Sequence, residues 1–177
     1  EVTRPGQFIN IKLDGFYLRR PISVCDKADD TLTIIYKVVG VGTESMSKML
    51  PGERLDILTG LGNGYDLSKS GDRPLLVGGG VGVPPLYLLA KELIKEGKSV
   101  TVILGFNTAS EVFYEEEFKA LGCTVRVTTA DGTKGIKGFV TDGAAQAGKY
   151  TYVYTCGPEP MLKAVYNVCK TSGQFSF

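Results

Sequence analysis

The 177-residue chain has no histidine and no tryptophan, and its four cysteines, Cys25, Cys123, Cys156 and Cys169, stand far apart with no Cys-x-x-Cys pair. Without imidazole and without paired thiols, a zinc site or an iron–sulfur cluster held within the chain is excluded as a reading. Scattered thiols of this kind point to buried free cysteines in a reducing cytoplasm. An excess of one charge is missing too. The 20 basic and 19 acidic residues leave a formal net charge of +1, so no bulk field recruits nucleic acid or an anionic membrane. The longest uncharged run, Pro74 to Ala90, carries four glycines and three prolines, which a lipid-exposed helix would not satisfy. No signal-peptide pattern is visible. The chain opens at Glu1 and enters a strand-like pattern within a few residues, which reads as a piece of a longer protein.

What is present falls into two textures. From "QFINIKL" through "TLTIIYKVV" to "GERLDILTG", short strands rich in β-branched and aromatic residues alternate with Pro-Gly, Asp-Asp and Gly turns. These predict an antiparallel sheet or barrel, with a turn or two of helix over 44–50. After "SKSGDRP", apolar strands "LLVGG", "VTVILGF", "TVRVTT" and "YVYTC" alternate with helical stretches over 85–96, 111–121, 139–147 and 159–170. That alternation predicts right-handed βαβ units and a parallel sheet covered on both faces. The expected fold class is a β-barrel followed by an α/β domain, divided as 1–71 and 72–177.

Four segments bear on chemistry. Gly78, Gly79, Gly80 and Gly82 lie between a strand and a helix whose first turn holds Pro84 and Pro85. Free first-turn amides and the helix dipole there suit a phosphate; a tight strand-to-helix corner with no ligand fits the segment equally well. The dinucleotide fingerprint G-x-G-x-x-G fails, because Val83 and Pro85 stand where a glycine is needed. "EGKSV" mimics the end of a P-loop, but it follows a helix and lacks the earlier glycine, so it is dismissed. "YTCGPEPML" is a second strand-to-helix corner, and in an open parallel sheet it would share one crevice with the first. "RRPIS" joins a guanidinium, a rigid proline and a hydroxyl suited to a phosphate and a ring nitrogen, although arginine pairs on edge strands are commonly just solvated. "KVVGVGT" ends a strand in glycines and a hydroxyl, as an anion-binding turn or a plain β-turn would.

Together these segments, with "GLGNGYDL" between them, resemble the ferredoxin–NADP reductase superfamily and, within it, the electron-transfer subunits of type B dihydroorotate dehydrogenases. The match runs over essentially the whole chain. The resemblance implies an FAD-binding barrel, incomplete at its N-terminus, and an NAD-binding α/β domain. It places Arg20, Pro21, Ile22 and Ser23 on the flavin, with Ser23 near the reactive ring nitrogen and Arg20 near the phosphates. It puts Ile35, Tyr36 and Lys37 on the next flavin-contacting strand and Gly42 and Thr43 at the pyrophosphate. Gly78, Gly79, Gly80, Val81 and Gly82 fall to the nicotinamide dinucleotide, as do Cys156, Gly157, Pro158 and Met161, with Cys156 beside the nicotinamide. Asp131 stands where NADP-dependent relatives tend to have arginine; a carboxylate there would bind the ribose diol and repel a 2′-phosphate, which argues for NADH.

The activity implied is hydride transfer between NAD(H) and FAD, a step for which the cofactors carry the chemistry and histidine is not needed. The partner implied is an FMN-containing catalytic dehydrogenase subunit of pyrimidine biosynthesis, in the cytoplasm. A [2Fe–2S] cluster is expected on a cysteine-rich tail of the parent protein, beyond Phe177, with no metal ligands in this chain. The alternatives are the flavin subunit of an NAD(P)H-dependent ferredoxin or sulfide-linked oxidoreductase, which shares these motifs, and a non-catalytic nucleotide-binding module.

Overall fold

The computed structural model describes residues 1–170; residues 171–177, the end of the second predicted half, lie outside the described residues. The first half supplies β1 (Phe8–Lys12), β2 (Arg20–Ala28), β3 (Thr31–Ile34), α1 (Val41–Ser47) and β4 (Asp56–Leu61). Its four strands form one antiparallel sheet in the order β3-β2-β1-β4. In "FINIK" burial alternates as a strand requires: Ile9 and Ile11 are buried, and Phe8, Asn10 and Lys12 are not. They pack with Val2, Leu13, Val24 and Met46.

The second half runs β5 (Pro74–Gly79), α2 (Pro85–Lys95), β6 (Thr101–Phe106), α3 (Glu115–Ala120), β7 (Thr124–Thr129), β8 (Ile136–Lys137), α4 (Val140–Ala145), β9 (Tyr152–Cys156) and α5 (Glu159–Cys169). Its strands form a parallel sheet in the order β8-β7-β6-β5-β9. All six residues of β5 are buried because helices cover both faces, so the strand reads as a continuous apolar run. Leu76 and Leu104 face a core with Leu86, Leu89 and Phe118. Leu75, Val77 and Ile103 face the opposite one, with Val140, Val165 and Cys169. Since β5 has β6 on one side and β9 on the other, the chain reverses its direction of progress across the sheet at β5. The carboxyl end of such a strand is where open α/β sheets leave a crevice.

Helix α2 serves both halves. Leu88 leaves the helix on the side of the first sheet and joins the core of Ile9, Ile11 and Val24. Three residues further along, Lys91 pairs with Asp26 of β2 at 2.9 Å. The segment between the halves is tied to β9 and to the residue before it: the Tyr154 hydroxyl donates to the Asp66 carbonyl at 2.8 Å and the Thr151 hydroxyl to the Ser70 carbonyl at 2.5 Å.

Four details depart from the sequence-based expectation. The strand expected over Thr31–Val39 ends at Ile34, so Ile35, Tyr36 and Lys37 lie beyond it. The helix expected from Glu111 begins at Glu115, because a 3-10 turn over Ala109–Glu111 is followed by Tyr114 in a left-handed conformation, φ +64°. No right-handed helix passes through such a residue. The short strand β8 was not expected, since two residues carry no period. The short helix near 44–50 starts earlier, at Val41, which moves Gly42 and Thr43 from a turn into its first turn.

Candidate active site

At the carboxyl ends of β5, β6, β7 and β9 lies a cleft of about 860 Å³. One wall comes from the first half, through Ile35, Tyr36 and Lys37; the other holds Gly79, Gly80 and Val81, together with Pro158 and Met161. Residues chosen from sequence segments more than 100 positions apart therefore meet in one crevice. Val81 and Phe139 form an exposed apolar rim to it.

The glycines of the corner do different jobs. A methyl group on Gly78 would lie 3.0 Å from Leu86 Cδ1 and from Val83 Cγ2, so this glycine lets α2 pack down on the strand. One on Gly79 would collide with the Met161 sulfur, and one on Gly82 with the Cys156 carbonyl. Gly80 alone has open space where a Cβ would stand, and its φ of +52° explains the residue type. Two of the four glycines, Gly79 and Gly82, thus seat the two strand-to-helix corners against each other, Gly78 seats α2 on its own strand, and Gly80 faces the cleft. The amides of Val83, Leu86 and Tyr87 already donate to the carbonyls of Gly80, Val83 and Pro84 at 3.0–3.1 Å, so an anion would fall to the amides of Gly80–Gly82.

At the second corner, Gly78 and Cys156 are paired across β5 and β9. Gly157 packs on Met161, its hypothetical Cβ 2.9 Å from the sulfur. The Cys156 side chain sits behind the cleft lining, with Tyr65 of "GLGNGYDL" as its hydrogen-bonding partner; burial pushes the thiol above its ordinary range, while that phenol acts in the opposite direction. The thiol is accordingly neutral at physiological pH. Tyr65 is driven far above the usual phenol range, chiefly by burial, and its ring stands edge-on to Tyr154 at 5.7 Å.

The remaining sequence-predicted residues lie elsewhere. The Arg20 guanidinium rests directly on Gly42, where any side chain would strike it; it also bonds the Leu18 carbonyl and covers the Phe16 ring at 4.6 Å. Thr43 closes the start of α1, its hydroxyl accepting from the amides of Val39 and Gly40 at 3.0 and 3.2 Å. Pro21, Ile22 and Ser23 sit within β2, where Ser23 is half-buried opposite Phe8 of β1 and lies outside the cleft lining. Asp131 also stands outside it. Its carboxylate accepts from the Thr133 amide and hydroxyl at 3.0 and 2.7 Å, which holds it below the usual carboxylate range.

The carboxylate that does line the cleft is Glu111, which sequence reasoning missed. Its Oε2 accepts from the backbone and side-chain amides of Asn107 at 3.0 Å each, just past the end of β6. The signal available was an asparagine at a strand end four residues before an acid, in a segment free of basic residues.

Residues 76–167 match the family model described as the oxidoreductase NAD-binding domain. The dihydroorotate dehydrogenase B (NAD(+)) electron transfer subunit of Geobacillus sp. (strain WCH70) is 49% identical over 173 residues, which covers 93% of this chain and 67% of that protein. The subunit of the same name from Fusobacterium nucleatum subsp. nucleatum is 48% identical, covering 99% of this chain and 72% of its own length. The chain belongs to this family of electron-transfer subunits. It spans about two thirds of the length of the relatives it matches, 67% and 72% in these two. Among solved structures, an NADH-dependent reduced ferredoxin-NADP oxidoreductase superposes with a TM-score of 0.87 at 32% identity, covering 99% of this chain and 66% of that one. For a member of this family, an oxidoreductase, the wall of the cleft under the two glycine corners falls inside the matched NAD-binding region, and the wall of Ile35, Tyr36 and Lys37 lies outside it. Among the described residues of this family member, no group of three His, Cys, Asp or Glu side chains is placed to hold a metal, and no helix is long and apolar enough to cross a membrane.

Proposed function

We propose that the chain is the electron-transfer part of a dihydroorotate dehydrogenase B, an FAD- and NAD-binding unit that moves electrons between NAD(H) and an FMN-containing catalytic dehydrogenase subunit of pyrimidine biosynthesis in the cytoplasm. The observation that carries this reading is the shared cleft: Ile35, Tyr36 and Lys37 of the first half oppose Gly79, Gly80 and Val81 of the second across one crevice. We divide the chain functionally at 71/72, with the flavin on 1–71 and the dinucleotide on 72–177.

The residues present fit the two cofactors. Gly80 offers an unfilled approach to backbone amides, as a pyrophosphate requires, and Arg20 lies over Gly42 with no side chain between them, a cation beside the first turn of a helix. When bound, the pair supplies a hydride donor and acceptor. The chain's own part is to hold Arg20, Gly42 and Thr43 under the flavin's phosphates, to bring Ser23 toward its ring, and to keep Tyr36 and Met161 as walls that exclude water. In this reading the neutral Cys156 borders the nicotinamide as a packing surface and not as a nucleophile. Asp131 and the absence of basic residues over 105–118 favour NADH over NADPH.

A second reading, the flavin subunit of a ferredoxin-linked oxidoreductase, is favoured by the superposition on the reduced ferredoxin-NADP oxidoreductase. The two differ in the docking partner and not in the cleft. Anaerobic addition of NADH to the yellow holoprotein is expected to bleach the flavin, with NADPH much slower; a colourless protein that binds NADH would instead mark a non-catalytic module. Co-purification with an FMN-bearing subunit or with a ferredoxin separates the two enzyme readings.

A further inference from the structure

Strand β2 and helix α2 each begin at one of the proposed cofactor motifs: β2 at Arg20–Ser23, and α2 directly after Gly78–Gly82. Strand β2 runs in unbroken register with β1 over Arg20–Ser23 and shifts its register with β3 between Val24 and Asp26, α2 is one continuous helix, and the two are fastened just past that shift. Lys91 donates to both carboxylate oxygens of Asp26 at 2.9 and 3.1 Å and to the Lys27 carbonyl at 3.5 Å, so its ammonium is held by three acceptors on one strand. Both side chains are partly shielded, at 36% and 20% exposure, which separates this pair from the solvated ones on the surface. One turn earlier on α2, Leu88 is 6% exposed in the core of the first sheet. On β2 the residue before Asp26 is Cys25, fully buried at the same seam. The fastening lies roughly 10 Å along β2 from Ser23 and roughly 14 Å along α2 from Gly82, by the rise per residue of strand and helix. A shift at the fastening would therefore be passed along α2 as a continuous helix and along β2 through its pairing with β1 toward the two motifs.

We infer that the Asp26–Lys91 pair is a positioning brace that sets the approach of the dinucleotide corner to the flavin strand. Neither residue lines the cleft, so neither touches a cofactor there. The inference rests on the flavin and nicotinamide assignment of the two motifs. Hydride transfer is sensitive to such a brace because the reacting atoms must sit in near-attack contact, where a shift of ~1 Å costs up to ~100-fold in rate.

The test uses Asp26→Lys, Lys91→Asp and the double exchange, with Asp26→Asn and Lys91→Met as milder variants that retain a fold if charge reversal does not. In the flavin-loaded holoprotein each single variant is expected to slow NADH-driven flavin bleaching about tenfold with NADH affinity within about twofold, and the exchange to restore the rate. A second readout needs no cofactor. In the apoprotein, alkylation of Cys25, followed peptide by peptide, is expected to accelerate about tenfold in each single variant and to return to the wild-type rate in the exchange, with Cys123 unchanged as internal control. Lys91→Asp is the stringent case, because adding negative charge near Cys25 disfavours its thiolate, so faster labelling there reports opening of the seam. Wild-type bleaching and labelling in the single variants, an exchange that fails to restore either, or equal acceleration at Cys25 and Cys123 would each overturn the brace. A wild-type holoprotein that NADH does not bleach would overturn the cofactor assignment instead, and Cys25 labelling would then decide the brace alone.

Discussion

The two sheets stand in opposite relations to water. In the second half, β5 is buried along its whole length between helices on both faces, whereas in the first half β4 exposes Asp56, Ile57 and Leu58 and the sheet has one principal core face. That core is completed by Leu88, a residue of the other half's helix. Layering explains the difference. A parallel sheet brings its own crossover helices, while an antiparallel sheet joined by short turns must borrow its cover. The unit that carries the glycine corners is therefore internally supported, and the unit that carries Arg20–Ser23 leans on it.

The contrast breaks first at the glycines. Gly82→Ala would drive a methyl group into the Cys156 backbone and is expected to cost about 3 kcal/mol or more in urea unfolding, together with the loss of dinucleotide binding. Gly40→Ala, in the first half, faces open space but removes a favoured N-cap residue of α1 and should cost about 1 kcal/mol; similar losses at the two positions would erase the distinction. Next in size, Leu88→Ala is expected to cost about 2–4 kcal/mol. Hydrogen exchange should then loosen Ile9, Ile11 and Val24 while Val102 and Leu104 stay protected. Exchange that spreads evenly through both sheets would show that the first half does not depend on α2 in particular.

Alkali probes both halves at once. Burial moves Cys25 and Cys123 from 9.0 to about 11. The folded state holds these protons more tightly than the unfolded chain, so the stabilisation is complete below pH 9 and is lost as pH rises toward 11. A loss of about 1–3 kcal/mol per thiol over that window is expected from chemical unfolding at stepped pH, with Cys25→Ala and Cys123→Ala each flattening part of it. A flat profile for the wild type would refute the assignment. The smallest effect belongs to the surface. Lys48→Gln and Lys163→Gln each remove one exposed i,i+4 pair, with Glu44 and Glu159 respectively, and each is expected to change stability by under about 0.5 kcal/mol, whichever half it lies in.

Period and punctuation made the second half readable. "LLVGG", "VTVILGF", "TVRVTT" and "YVYTC" all became parallel strands, and both glycine- and proline-bearing corners came to the same cleft. Local signals failed where a distant contact decides. Nothing within "TLTIIYKVV" marks the end of the strand at Ile34, because Tyr36 goes on to line a cleft whose opposite wall comes from the other half. Glu111 looked like the opening of a helix until Tyr114 turned left-handed and Asn107 claimed the carboxylate. The glycines were legible as a turn but not as packing surfaces, since the atoms they admit come from Cys156 and Met161, far along the chain. Asp26 and Lys91 gave no sign of each other across 65 positions.

The place of β9 beside β5 has a kinetic consequence. Strands β5, β6 and β7 pair with their neighbours in chain order, so each can zip onto the last across a single helical crossover. The bond from Thr155 to the Val77 carbonyl instead spans 78 residues. Closing a loop of that length is the slow part of building such a sheet, and it falls to the strand that ends in Cys156 and leads into Gly157 and Met161. A refolding chain would thus regain most of its helical signal before it regains a dinucleotide site, and in a stopped-flow experiment the return of NADH binding would mark the docking of the last strand.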